Sequence, residues 1–183
     1  MFGNIFITSD LHFSHDRDFI YQKRGFKNVD EMNEAIIKNW NEVVDPEDEV
    51  YMLGDFMLND PKRGAQCIRR LNGNITLICG NHDTSDKQIT YHEQCGNIKD
   101  IENAEWIKFG EYRFFLSHFP TLCTPADVKK PTSHCLINLC GHVHTRDRWY
   151  DWKNGRIYHC EVDAHNMTPV AIEDIIADLN KKA

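Results

Sequence analysis

No apolar run in this sequence approaches the roughly 18 residues that a membrane-spanning helix needs. The first ten residues hold neither a basic segment nor a long apolar stretch, so no secretory signal peptide is expected. There is no CxxC pair, and seven cysteines cannot all pair within one chain, so a disulfide framework is not expected either. Reduced thiols and a cytoplasmic setting follow as the simplest reading. Cys135 and Cys140 sit in an apolar run and read as core residues rather than ligands. GxSxG, HExxH, GxxxxGK[ST] and GxGxxG are all missing, which removes the serine-hydrolase, zincin, P-loop and dinucleotide readings. Positive charge is in short supply: 21 Lys+Arg against 28 Asp+Glu give −7, which argues against a coat for nucleic acid or an anionic membrane. The basic pairs are dispersed and read as solvated helix faces.

What is present is a chain of 183 residues, 41% hydrophobic and 11% aromatic, enough for one folded domain over residues 1–183. Ten histidines are unusual for that length. Residues 4–8 (NIFIT), 49–53 (EVYML) and 74–79 (NITLIC) read as buried strands. Between them, residues 30–44 carry apolar positions at helical spacing, with Asp30 as the expected N-cap. A second helix is expected from Pro61, capped by Asp60 and running to about Leu71. Further strands are expected over 98–101, 104–109, 112–117, 136–140 and 157–162, with a hairpin at Gly110-Glu111 and a closing helix around Ile172–Leu179. This alternation predicts α/β layers around mixed sheets.

Ligands of such sheets bind beyond the carboxyl ends of strands. The polar clusters fall there. Asp10-Leu11-His12, Gly54-Asp55, Gly80-Asn81-His82-Asp83, His118 and Gly141-His142-Val143-His144 each follow an expected strand. Taken singly these are ordinary turn residues. Five turns that all deliver metal-type oxygen and nitrogen ligands predict a metal site.

The ordered set D-x-H, G-D, G-N-H-D, H, G-H-x-H resembles the calcineurin-like metallophosphoesterases and spans residues 10–144. SDLHFSH at residues 9–15, VYMLGDF at 50–56 and VDAHNMTPVAI at 162–172 resemble the small bacterial and phage branch. The resemblance implies a four-layer αββα sandwich of two mixed sheets flanked by helices. It implies a dinuclear site in which Asp10, His12, Asp55 and His144 hold one ion, and Asp55, Asn81, His118 and His142 the other. Two divalent transition-metal ions (Mn, Fe or Zn) suit that donor set, and a cysteine-free set argues against structural zinc. The implied reaction is hydrolysis of a phosphomonoester or phosphodiester by in-line attack of a metal-bridging hydroxide. His82 would bind phosphate and protonate the leaving oxygen, with Asp83 either orienting that imidazole or capping a turn.

His15, Arg17 and Arg24 are the candidates for substrate contact, the arginines as bidentate phosphate clamps. His92, His134, His159 and His165 match no ligand motif and read as structural. Trp149, Tyr150 and Trp152 read as a hydrophobic strand edge or a dimer contact, or else as a stacking surface for a base. The implied partner is a small phosphate ester, a class that includes nucleotides. Rival readings are a nuclease acting on DNA or RNA, and a non-catalytic protein-binding scaffold. Small size counts against the first, and retention of every ligand and His82 against the second.

Overall fold

The computed structural model describes residues 3–121, 136–150 and 156–181. Trp152, Cys135 and His134 therefore lie outside the described residues. Strands β1 (Ile5–Thr8), β2 (Glu49–Met52), β3 (Asn74–Ile78) and β4 (Ile98–Glu102) run parallel in one sheet, and β9 (Val170–Ala171) adds an antiparallel edge beside β1. Parallel neighbours need long crossovers. Here α1 (Asp18–Tyr21) and α2 (Val29–Val43), then α3 (Pro61–Ile68), then α4 (Ser85–Gln94) supply them. The second sheet has the order β5-β6-β7-β8, from β5 (Glu105–Phe109), β6 (Tyr112–Leu116), β7 (Leu136–Cys140) and β8 (Ile157–His159). Its first pair is an antiparallel hairpin closed at Gly110, and the other pairs are parallel. The result is an α/β fold with two mixed sheets flanked by helices.

Side-chain alternation along the strands divides the interior in two. Phe6, Val50, Met52, Ile75 and Leu77 face the helices and pack with Met32, Ile36 and Trp40 of α2, Ile68 of α3 and Tyr91 of α4. Ile7, Leu53 and Ile78 point the other way, onto Phe114, Leu116, Ile137, Leu139 and Tyr158 of the second sheet. The last helix, α5 (Ile172–Asn180), adds Ile172, Ile175 and Leu179 to that inter-sheet cluster. Each such large apolar side chain contributes about 1.5–3 kcal/mol on burial.

Four expectations about elements are corrected. The N-cap of α2 is Asn28, not Asp30: Asn28 is extended and its Oδ1 accepts from Glu31 N at 2.9 Å. Helix α3 has the expected Asp60 cap and Pro61 start but stops at Ile68. Strand β8 is shorter than expected, because the chain leaves the sheet after His159. Helix α4 has no counterpart in the sequence reading: it buries only Tyr91, so it carries no apolar stripe.

Candidate metal centre

The carboxyl ends of the parallel strands of both sheets meet at one edge. There, Ser9 pairs with Glu161 across the two sheets, and Gly141 N donates to His118 O. The sequence glycines make the close approach possible. Gly54 has φ +89°, and a Cβ on it would lie 2.6 Å from Gly80 N and 2.7 Å from His118 Nδ1. A Cβ on Gly141 would collide with the Asp10 carboxylate.

All the expected metal-ligand residues converge there. Asp10, His12 and His144 offer ligand atoms within 4.8 Å of one another, and so do Asp10, Asp55 and His118. His12 Nε2 lies 2.9 Å from His144 Nε2 and 3.7 Å from Asp10 Oδ1. Asp55 Oδ2 is central, 3.8 Å from His12 Nε2, 3.7 Å from His118 Nε2 and 3.9 Å from His82 Nε2. Asn81 Oδ1 and His142 Nδ1 stand 2.9 and 3.1 Å from His118 Nε2. Asp10, His12, Asp55 and His118 are buried, while Asn81, His142 and His144 reach the surface.

The backbone bends sharply to aim these side chains. Asp10, His12, Asp55, His142 and His144 all have φ between 54° and 77°, a region in which a residue with a Cβ is strained. Surrounding bonds hold the turns. The Asp10 carboxylate accepts from His142 N at 2.9 Å, and Asp55 accepts from His82 N at 2.9 Å. Glu161, fully buried and 3.1 Å from His159 Nδ1, accepts from Val143 N at 3.2 Å, between the two surface histidines.

Ring orientation is fixed from behind. His118 Nδ1 faces the Leu53 carbonyl at 2.9 Å. A carbonyl only accepts, so Nδ1 carries the proton and Nε2 presents its lone pair to the centre. His144 Nδ1 meets Asp163 Oδ2 at 3.1 Å with the same consequence. Asp163 in turn takes two bonds from Arg24, at 2.7 and 3.0 Å.

Burial pushes the Asp10 carboxyl up to about 6, against the pull of His144, His118 and its hydrogen bonds. Burial likewise lowers His12, helped by His144, Arg24, His15 and His82, and drops His15 to about 4. On His144 burial acts downward, but Asp163 and Asp10 outweigh it and the net direction is up.

The other site candidates take distinct places. His82 has a side chain 44% exposed, and Lys87 Nζ holds its backbone by donating to His82 O at 2.6 Å and Met57 O at 2.7 Å. His15 is half-buried, 5.4 Å from the His12 ring. Arg17 is exposed at the start of α1. Asp83 is buried; its carboxylate accepts from Asp55 N (2.7 Å), Gly80 N (2.9 Å), Phe56 N (3.3 Å) and Tyr91 Oη (2.7 Å). Arg24 has a side chain only 2% exposed and donates also to Asp10 O and Leu11 O, so its fork is occupied by the protein. Asp163 and Glu161 were not legible as site residues, since neither belongs to a ligand motif. Of the remaining histidines, His165 bonds His159 O and both are buried. Trp149 packs edge-on against Tyr158 beside β8.

Cavities border the centre on both sides. One, of about 350 Å³, reaches His144 and lies against α1. The other, of about 530 Å³, reaches His118 and Asn81.

The chain is 40% identical over 118 residues to an uncharacterized protein of Methanocaldococcus jannaschii, a match covering 63% of this chain and 58% of that protein's length. It is 33% identical over 170 residues to the gene 66 protein of Mycobacterium phage L5, covering 78% of each. Among solved structures, a protein of unknown function from Aquifex aeolicus superposes with a TM-score of 0.70 at 25% identity, covering 96% of this chain and 98% of the other. The clustered aspartates and histidines suggest a metal site of the kind typical of phosphoesterases. No helix among the described residues is long and apolar enough to cross a membrane. The calcineurin-like phosphoesterase superfamily domain matches residues 4–160, and with the two-sheet fold and its buried Asp/His clusters this chain belongs to that superfamily.

Proposed function

We propose that the protein is a metal-dependent hydrolase of phosphomonoesters or phosphodiesters. The observation that carries this reading is the fully buried Asp10 carboxylate. Its Oδ1 accepts no hydrogen bond among the described residues, and it stands with Asp55 among the ring nitrogens of His12, His118 and His144, of which the last two present lone pairs to the centre. Acceptors buried together without donors repel one another, and a cation relieves that. Mixed imidazole and oxygen donors fit Mn²⁺, Fe or Zn²⁺. Asp10, His12, Asp55 and His144 would hold one ion; Asp55, Asn81, His118 and His142 would hold a second, with Asp55 shared. Two such ions supply positive charge for the phosphoryl oxygens and water activated for in-line attack.

The chain's own side chains do the remaining work. His82 stands at the open face of Asp55, where its imidazole can hydrogen-bond a phosphoryl oxygen and pass a proton to the leaving oxygen. Asp83 acts as a positioning residue, tying together the backbone of the turns that carry Asp55 and Asn81. Arg24 acts through Asp163 and the Asp10 carbonyl rather than on phosphate. His15 and Arg17 remain on the accessible side for substrate contact.

The test is metal analysis of purified protein together with hydrolysis of p-nitrophenyl phosphate and bis-p-nitrophenyl phosphate. About two transition ions per chain are expected, with turnover lost on chelation and restored by Mn²⁺. Turnover that survives complete chelation would overturn the reading. The relative rates on the two probes separate monoesterase from diesterase.

A further inference from the structure

The cavity between α1 and the segment after His144 is lined by Phe19, Ile20, Lys23, Arg24, Arg146 and Asp163, and it opens onto His144 itself. Its size, about 350 Å³, lies at the lower end of the range for small-molecule pockets. Phe19 is 55% exposed, on a helix that buries none of its residues. Its ring stands edge-on to His15, 5.7 Å away, and so next to the reacting centre. Lys23 and Arg146 are exposed, and an Arg146 Nη2 to Lys23 O bond of 3.1 Å holds them on the same wall. Among the described residues neither forms an ion pair, whereas the neighbouring Arg24 is committed to Asp163. The cavity on the His118 side has no lysine or arginine among its described lining residues; Asn103, Ser117, Phe119 and Thr121 line it together with Asp83, whose carboxylate is taken up by backbone N–H groups and Tyr91. The centre is therefore flanked by one cationic, aromatic pocket and one whose described lining holds no lysine or arginine, in a chain whose net charge is −7.

We propose that the α1 pocket is a substrate subsite for the half of a phosphodiester that carries an aromatic ring and a second anionic group. The ring lies against Phe19 and the anion between Lys23 and Arg146. The leaving half occupies the His118 side. This places the substrate in the class of nucleotide diesters bearing a further phosphate, and it rests on the phosphoesterase reading above. It also differs from the expectation for Arg24, whose charge is spent within the protein.

Two probes that differ by one phosphate test it: thymidine 5′-(p-nitrophenyl phosphate) and its 3′-phosphorylated counterpart. In both, the oxygen of water joins phosphorus, the bond from phosphorus to the aryl oxygen breaks, and p-nitrophenolate leaves. The 3′-phosphorylated probe should show kcat/KM higher by about tenfold, the scale of one or two charge-assisted contacts at a partly exposed site. In the double variant Lys23→Ala/Arg146→Ala that ratio should fall to about one, with the thermal melting curve checking the fold. Phe19→Ala should raise KM for both probes alike by roughly fivefold or more, the scale of base–aromatic stacking. Equal kcat/KM values in the wild type, or a ratio retained in the double variant, overturn the subsite. If neither probe is hydrolysed, the diesterase half of the phosphoesterase reading falls, and calorimetric titration with thymidine 3′,5′-bisphosphate decides the pocket by itself. Binding that disappears in the double variant upholds it, and no binding to the wild type overturns it.

Discussion

At Asp10, His12, Asp55, His142 and His144 the backbone enters the left-handed region, at a cost of about 1–3 kcal/mol for each residue with a Cβ. Such strain persists where neighbouring bonds over-determine the turn, and Glu161, Asp83 and the Leu53 carbonyl are placed to do this. The residue types were legible in the sequence, because metal chemistry restricts ligands to a few side chains and the motifs keep their order. The supports were not: Asp163 lies 19 residues beyond His144, and Arg24 comes to it from 139 residues away. Arg24 also shows how sequence misleads at this scale, since a buried guanidinium and a phosphate clamp look the same in one dimension. His82 is the residue whose role is most sharply testable. Because its side chain is 44% exposed beside Asp55 and has no place in the proposed ligand set, His82→Ala should retain bound metal. Its kcat should fall by about 10²–10⁴-fold. Metal analysis and steady-state kinetics on the same preparation check this, and unimpaired turnover would remove His82 from the mechanism.

Among the elements, β1–β8 and the well-patterned helices were readable, and α1, α4 and β9 were not. Helix α2 presents Met32, Ile36 and Trp40 on one face, a periodicity visible in the sequence. Helix α4 rests on Tyr91, whose hydroxyl reaches Asp83, and on tertiary contacts that leave no stripe in the sequence. The cap of α2 was misassigned because Asn28 and Asp30 are equally good capping types, and only the extended backbone at Asn28 decides between them. Asn28→Ala should destabilise the protein by about 1 kcal/mol; the drop in melting temperature should be roughly 2–4 °C, and an unchanged midpoint would argue against the cap. Helix α5 is tied to the second sheet through Asp178, which accepts from Arg148, Tyr158 and Lys181. Burial raises the Asp178 carboxyl, but these three hydrogen bonds outweigh it and hold it below its usual 3.8. A depressed folded value means stability that is present above the unfolded pKa and lost as pH falls through the folded one. The stability difference between wild type and Asp178→Asn should therefore be constant from about pH 7 to 5 and shrink below about pH 4. Urea unfolding across that range measures it, and a pH-independent difference would count against this linkage.

For the whole molecule, a shared centre between two sheets makes metal binding part of stability. An ion that binds only the folded chain stabilises it by about 2.7 kcal/mol at a hundred times its Kd. In a chain of this size, chelation should then lower the melting temperature by roughly 5–10 °C. Melting with and without chelator, followed by re-addition of Mn²⁺, checks this; identical curves would mean that the clusters hold no ion. The sequence by itself determined the succession of β1–β8 along the chain, the buried apolar runs and the ligand-type residues just beyond strand ends. These are local: each depends on propensity, periodicity or chemical type within a few residues. The tertiary structure decided which arginine is buried, which carboxylates brace the turns from behind, and that Lys23 and Arg146 share a wall beside His144. Those facts depend on two sheets meeting at one edge, and distance in space between remote residues is not written in any local pattern.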